Sequence, residues 1–234
     1  MEGNQKSTDA SNLWRTAMTG VLKMQLVLAV LIFLPAGTIR FWQGWLFWLV
    51  FLALVLWITL YFLKYDPHLI AGRVEGGPQA EREKSQKIIQ TVAGTLAIAL
   101  VIVPGLDYRF HGSSVPAAIV LMADALVVIS FAIVFIVFRE NSFAAGTIKV
   151  EAEQRVISTG PYRYVRHPMY AGAGLAILAT PLALGSIWGV LIGIALNAVI
   201  VVRLLDEERY LAANLPDYET YRREVSYRLI PLVW

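Results

Sequence analysis

The chain is expected to be an all-α, polytopic integral membrane protein with about six transmembrane helices, the last two forming a C-terminal helical hairpin. Three observations predict this. Hydrophobic residues make up 57% of the 234 residues and charged residues 16%, with a mean hydropathy of +0.60, values outside those of an ordinary soluble domain. The apolar residues are gathered into runs long enough to cross ~30 Å of hydrocarbon. The basic residues fall at the edges of the connections between those runs.

In chain order, residues 1–13 are polar and lack the apolar core and cleavage site of a removed signal peptide, so they are expected to form a loose cytoplasmic tail. Apolar runs follow at residues 19–37, 42–63, 88–106 and 115–138. Trp42, Trp45 and Trp48 cluster at one end of the second run, where amphipathic rings anchor at headgroup level. Residues 66–87, with Gly76, Gly77 and Pro78 among alternating charges, are expected to be a solvated connector. Residues 171–202 are too long for one span and carry Pro181, Gly185, Ser186 and Gly189 near the middle, which predicts a tight hairpin. Its first limb has about 14 residues, so it is expected to tilt or to start below the bilayer plane. This divides the chain into residues 1–140, the tail and spans 1 to 4, and residues 141–234, a catalytic region of connector, hairpin and C-terminal cytoplasmic helix.

Loop charges set the expected orientation. Lys6, Arg15 and Lys23 flank the first span; Lys64, Arg73, Arg82, Lys84 and Lys87 lie between the second and third; Arg139, Lys149, Arg155, Arg163 and Arg166 lie between the fourth and fifth. Arg203, Arg209, Arg222, Arg223 and Arg228 follow the hairpin, whereas the alternate loops hold Arg40, Arg109 and no basic residue in the hairpin turn. Both termini are therefore expected in the cytoplasm, in a bacterial inner membrane or an endoplasmic reticulum. This charge placement suits membrane lipids and not nucleic acid. The absence of cysteine excludes disulfides and thiolate chemistry, and His68, His111 and His167 have no ligand-spaced partners, so no metal is expected.

The stretch from Ser158 to Gly172 sets polar and aromatic residues directly against an apolar run. Pro168 fits the first turn of a helix and pushes His167 toward an extended conformation, so a helix should begin at Pro168. Its N-terminal N–H groups suit an anionic ligand group, with Tyr162, Arg163, Tyr164, Arg166 and Tyr170 around it. The alternative is a plain cytoplasmic flank with an interfacial tyrosine belt. Beyond the hairpin, Arg203, Glu207 and Glu208 stand about one helical turn apart, where they either form a site or pair with one another. Tyr218 and Tyr221 share one side of a short helix that is either a lid or an interfacial amphipathic helix. Asp124 and Asn197 lie within apolar runs; interhelical bonding, or for Asp124 a place near the outer interface, competes with a functional role.

The motifs G-P-Y at Gly160, R-H-P-x-Y at Arg166, the paired glutamates and the Y-x-x-Y tail resemble, in order and spacing, the isoprenylcysteine carboxyl methyltransferase family and its relatives, the phospholipid N-methyltransferases. The resemblance covers residues 141–234. It implies S-adenosyl-L-methionine as cofactor, with contacts at Gln154, Arg155, Val156, Ile157, Tyr162, His167, Pro168, Met169 and Tyr170, an acidic contact at Glu207 or Glu208, and Tyr218 and Tyr221 as a lid. Arg203 corresponds to the family's substrate-binding arginine, and Arg203 and His167 are the catalytic candidates. Eukaryotic members often carry histidine where this chain has Gln154. The implied reaction is O-methylation of the carboxylate of an isoprenylcysteine-like substrate drawn from the bilayer. A phospholipid or a small lipophilic amine or hydroxyl compound is the alternative acceptor, and an amine would need deprotonation by His167 or a glutamate. Sterol reductases, which use NADPH, look similar in this region and are a competing class, as is a transporter or scaffold. No G-x-G-x-x-G loop is present, which disfavours a Rossmann-type enzyme.

Overall fold

The computed structural model describes residues 2–74, 84–142 and 155–234. The described residues form helices α1 (Glu2–Ala36), α2 (Trp42–Tyr65), α3 (Pro67–Val74), α4 (Lys84–Phe110), α5 (Ala117–Glu140), α6 (Pro168–Ala183), α7 (Trp188–Asn214) and α8 (Tyr218–Glu224), with a 3-10 turn at Gly160–Arg163. The protein is all-α and polytopic, as expected. Five of these helices are long and apolar enough to cross a membrane, and α6 is a shorter apolar helix.

Local chemistry places the ends. Gly37, at φ +67°, terminates α1 in the left-handed conformation that closes many helices. Pro67 stops α2, and Asp66 Oδ1 accepts the Leu69 N–H at 3.2 Å to cap α3. Gly185, at φ +72°, closes α6, and Ser186 N–H returns to Pro181 O at 2.8 Å.

The five long helices and α6 close into a ring in the order α1, α2, α5, α6, α7, α4 and back to α1. Small residues let the backbones approach, as expected where lipid offers no hydrophobic drive to associate. A Cβ on Gly105 would lie 2.8 Å from Ile32 O on α1, and one on Gly193 would lie 3.0 Å from Ile177 O on α6. Asn197 bonds Gly193 O at 3.0 Å and reaches Gly174 O across the hairpin at 3.4 Å, the interhelical role expected of it. Two apolar clusters fill the ring, one around Ile32, Phe41, Phe47 and Val127 toward the hairpin turn, the other around Ile58, Phe62, Leu69 and Val137 toward the opposite end. Asp124 is buried on α5, and neither carboxyl oxygen meets a hydrogen-bond partner among the described residues; nothing in the packing accounts for it.

Two sequence expectations are corrected. The polar N-terminus is helical from Glu2, because no proline interrupts it and the helix of the first span propagates outward. The connector after α2 is not wholly solvated, since α3 buries Leu69 and Ile70 and sets the Arg73 guanidinium 4.5 Å from the centroid of the Phe138 ring.

The short limb of the hairpin has a fixed level. At the turn, Ser186 donates its hydroxyl to Asp107 Oδ2, which also accepts from Ser113 at 2.6 Å, tying the α6–α7 turn to the end of α4. A 16-residue helix rises about 24 Å, less than the ~30 Å of the hydrocarbon core.

The loop charges predict that residue 226 is cytoplasmic and residue 114 external. Single cysteines placed at the exposed Ser114 and Ser226 of this cysteine-free chain report it. Ser114→Cys should label with an impermeant maleimide from outside, and Ser226→Cys only after permeabilisation. The reverse pattern would invert the orientation. Gly112 is a poorer probe, because a Cβ there would meet Asp107 Oδ1 at 2.5 Å.

Candidate functional site

The N-terminal end of α6 is where the chemistry-bearing residues gather. α6 begins at Pro168 with His167 as its N-cap, and no side chain caps its first turn. The residues before it are held by the tail: Arg166 N–H bonds Tyr227 O and His167 N–H bonds Arg228 O, each at 2.9 Å. A backbone pairing across sixty positions of chain thus brings the C-terminal tail onto the hairpin.

Beneath this pairing sits Glu208, from the extended end of α7. Its Oε1 accepts Arg166 Nε at 2.7 Å and lies 3.1 Å from His167 Nε2; its Oε2 accepts Arg228 Nε at 2.9 Å. Arg166 also donates Nη1 to Val225 O at 2.7 Å and Ser226 O at 3.0 Å. Arg166, His167 and Glu208 are all buried. Excluding water strengthens these charge-assisted bonds and makes the loss of any one partner costly.

One residue earlier on α7, Glu207 accepts the Tyr170 hydroxyl proton at 2.5 Å, and the same hydroxyl oxygen accepts Arg203 Nε at 3.0 Å. Consecutive residues on a helix point about 100° apart, so the two glutamates serve different networks. The link expected between Arg203 and the glutamates runs through Tyr170.

Over this floor lies α8. Tyr221 donates its hydroxyl to Tyr162 O at 2.8 Å, and the Tyr162 hydroxyl accepts Asn141 Nδ2 at 2.9 Å. Tyr218 is 4% exposed, and its hydroxyl meets no hydrogen-bond partner among the described residues. Burial pushes the Tyr162 phenol up to about 12, with the Glu207 and Glu140 charges adding to it and the Asn141 bond opposing it. Burial, and then the nearby Glu208 charge together with Glu207 for Tyr218 and Tyr162 for Tyr221, also raises the other two phenols. All three are neutral hydroxyls at any physiological pH.

Of the residues singled out in the sequence, His167, Pro168, Met169, Tyr170, Arg203, Glu207, Glu208, Tyr162, Tyr218 and Tyr221 come to one end of the ring. Val156 packs against the Tyr218–Tyr221 cluster, Ile157 is half-buried nearby in sequence, and Arg155 is exposed. Gln154 lies outside the described residues. Sequence reasoning missed Arg228 as a partner of Glu208 and placed Arg166 beside a ligand, not in an ion pair. Neither pairing had a sequence signal, because the partners are 42 and 20 positions apart.

Fold and site define a class: a polytopic membrane protein whose polar centre is built at one end of a helical ring from a short hairpin limb, the next helix and the folded-back tail. Comparison with known proteins narrows the class. Residues 118–217 match the model of the phospholipid methyltransferase family. A methanethiol S-methyltransferase from Mycobacterium tuberculosis is 45% identical over 69 residues, a match spanning 29% of this chain and 28% of that relative. Of the region whose motifs resemble the isoprenylcysteine carboxyl methyltransferases and their phospholipid methyltransferase relatives, residues 141–217 fall within the phospholipid methyltransferase match.

Glu208→Ala should lower unfolding stability by about 3–5 kcal/mol, because it leaves Arg166 buried without its carboxylate. Thermal unfolding in detergent measures this, and Arg228→Ala should cost less, since that side chain is 27% exposed. A Glu208→Ala protein melting with the parent would remove the buried ion cluster as the anchor of the tail.

Proposed function

We infer that this protein is an integral-membrane methyltransferase that uses S-adenosyl-L-methionine and takes a lipophilic acceptor from the bilayer. The observation that carries the reading is the buried Tyr218 hydroxyl, which meets no hydrogen-bond partner among the described residues and lies within the field of Glu208, Glu207 and Arg166, together with a first turn of α6 that its N-cap side chain leaves open: hydrogen-bonding capacity that a polar ligand would complete. The residues fit the cofactor. The Met169 and Tyr170 amides would take its carboxylate, the Tyr218 hydroxyl a polar edge, and the backbone of Val156 and Ile157 its remaining length. When bound, it supplies an electrophilic methyl group on a sulfonium. Tyr162 and Tyr221, neutral and tied to each other, would exclude water from that methyl group.

For the acceptor, the support is a cavity of about 630 Å³ inside the ring, bounded by α1, α2, α3, α5 and α6 with Leu100 from α4. Its walls are mostly apolar, with Phe51, Phe131, Phe138, Gly172, Ala173 and Ala176 among them, and Arg73, Thr59, Ser130 and Thr180 are its polar lining. That volume is within the ~300–1,000 Å³ range of small-molecule sites. A molecule as small as the methanethiol named for the relative would leave it nearly empty, whereas an isoprenyl or acyl chain would fill it at about 0.8 kcal/mol per buried CH₂. An isoprenylcysteine-like carboxylate, a phospholipid amine and a lipophilic hydroxyl compound are all acceptors of that shape.

Calorimetric titration of the purified protein in detergent with S-adenosylhomocysteine should show saturable binding, and NADPH should show none. Binding of NADPH alone would turn the reading to a membrane reductase. A second test concerns the cavity. Gly20 lines it, and a Cβ there would meet nothing within 4 Å, so Gly20→Phe adds bulk without displacing structure. With any acceptor the parent methylates, this variant should lose about tenfold or more in kcat/KM while S-adenosylhomocysteine affinity stays within about threefold. Unchanged kcat/KM would take the acceptor out of the cavity.

A further inference from the structure

We propose that Tyr170 and Glu207 form a proton-accepting pair that selects an acceptor bearing an ionisable X–H group, a thiol or an amine on a lipophilic chain, over a carboxylate. The inference rests on the methyltransferase reading and deepens it. A tyrosine hydroxyl has one proton to donate and two lone pairs to accept with. Its proton is directed to Glu207 Oε2 at 2.5 Å, and one lone pair receives Arg203 Nε at 3.0 Å. Toward a third partner, therefore, the Tyr170 oxygen can only accept. A carboxylate, which offers acceptors alone, meets a lone pair there; a thiol or ammonium group meets the complement it needs.

The placement suits the acceptor's polar end. Tyr170, Ala173 and Ile177 follow one another at helical spacing along one face of α6, and Ala173 and Ile177 line the cavity. Met169 packs against the cluster that contains Ile58, Ile70 and Phe138, three residues that line the same cavity. An apolar chain lying in the cavity along this face runs out at the Tyr170 turn. Tyr170 itself is buried, so bulk water does not compete for the lone pair.

The step balances. The X–C bond forms as the S–CH₃ bond of the sulfonium donor breaks, the bonding pair staying on sulfur. The X–H proton passes to the Tyr170 oxygen while the Tyr170 proton passes to the Glu207 carboxylate, and the protonated Glu207 later releases it to water. Arg203, by donating to the same oxygen, is a positioning residue that holds the phenol proton toward Glu207.

The test uses three probes that share one chain, 1-dodecanethiol, dodecylamine and dodecanoate, with the full-length protein in detergent. For the parent saturated with S-adenosylhomocysteine, thermal-shift titration should show the thiol or the amine binding at least about tenfold more tightly than dodecanoate, and which of the two wins names the acceptor class. In Tyr170→Phe, which keeps the ring and removes the oxygen, that preference should vanish. With S-adenosyl-L-methionine, Tyr170→Phe and Glu207→Gln should each lose about 10²-fold or more of turnover with the preferred probe, a loss that shrinks as pH rises and hydroxide takes over deprotonation. A purely structural role would give no such recovery. Equal or tighter binding of dodecanoate, binding of none of the three, or a variant indistinguishable from the parent would overturn the proposal. Failure of the parent to bind S-adenosylhomocysteine would instead overturn the methyltransferase reading beneath it.

Discussion

The buried carboxylate of Glu208 is the interaction on which the polar end of this protein depends. Apolar helices pack into a ring without it, and the tail adds an apolar cluster of Leu215, Tyr218, Tyr221 and Val225 before running on through Ser226, Tyr227 and Arg228 to a mostly apolar end, residues 229–234. What fixes the register of the tail is charge. Arg228 from the tail and Arg166 from the connector meet on one carboxylate, and Arg166 then satisfies the backbone carbonyls of Val225 and Ser226. A buried ion cluster contributes little net stability when compared with an apolar substitute, yet it tolerates only one arrangement. That arrangement holds His167 and the start of α6 in register with Arg228.

The second constraint is the level of α6. At the far end of the ring, Asp107, Ser113 and Ser186 join the end of α4 to the hairpin turn. At the near end, His167, Pro168 and Tyr170 at the start of α6 are buried, and α7 brings Glu207 and Glu208 to them. Small residues make this possible: a Cβ at Gly172 would lie 3.2 Å from Ser130 O, so α6 packs hard against α5, and Asn197 stitches it to α7. The short helix carries its first turn, with backbone N–H groups uncapped, into the low-dielectric level of the protein, where hydrogen bonds to a ligand are stronger than at the surface.

Two neighbouring glutamates then divide the labour. Glu208 meets Arg166, His167 and Arg228; Glu207, about 100° around α7, meets a neutral hydroxyl. The α6 face that carries Tyr170 also carries Ala173 and Ile177, which line the cavity, so one helix face carries residues of both the apolar chamber and the polar centre. This arrangement suits chemistry at the headgroup of a molecule whose remainder stays dissolved in hydrocarbon.

Much of this was legible in the sequence. Long apolar runs determine helices wherever no water is available to satisfy the backbone, so the spans could be placed within a few residues. Pro168 determined where α6 starts, because it lacks an N–H and tolerates only the first turn, and the mid-run Pro181, Gly185 and Ser186 determined the hairpin. The R-H-P-x-Y and acidic motifs marked the kinship before any geometry was known. Other features were decided by the tertiary structure alone. The ring order, the cavity within it, and the partners of Glu208 and Tyr170 join residues tens of positions apart, and pairing at that distance leaves no periodicity to read. Whether Glu207 or Glu208 serves as anchor could not be decided from two adjacent identical letters; it follows from which side of α7 faces Arg166 and which faces Tyr170. The helix at α3 escaped notice for a similar reason: Leu69 and Ile70 form too short an apolar pair to signal a helix, and only the packing of Phe62 and Phe138 around them gives that pair a place to be buried.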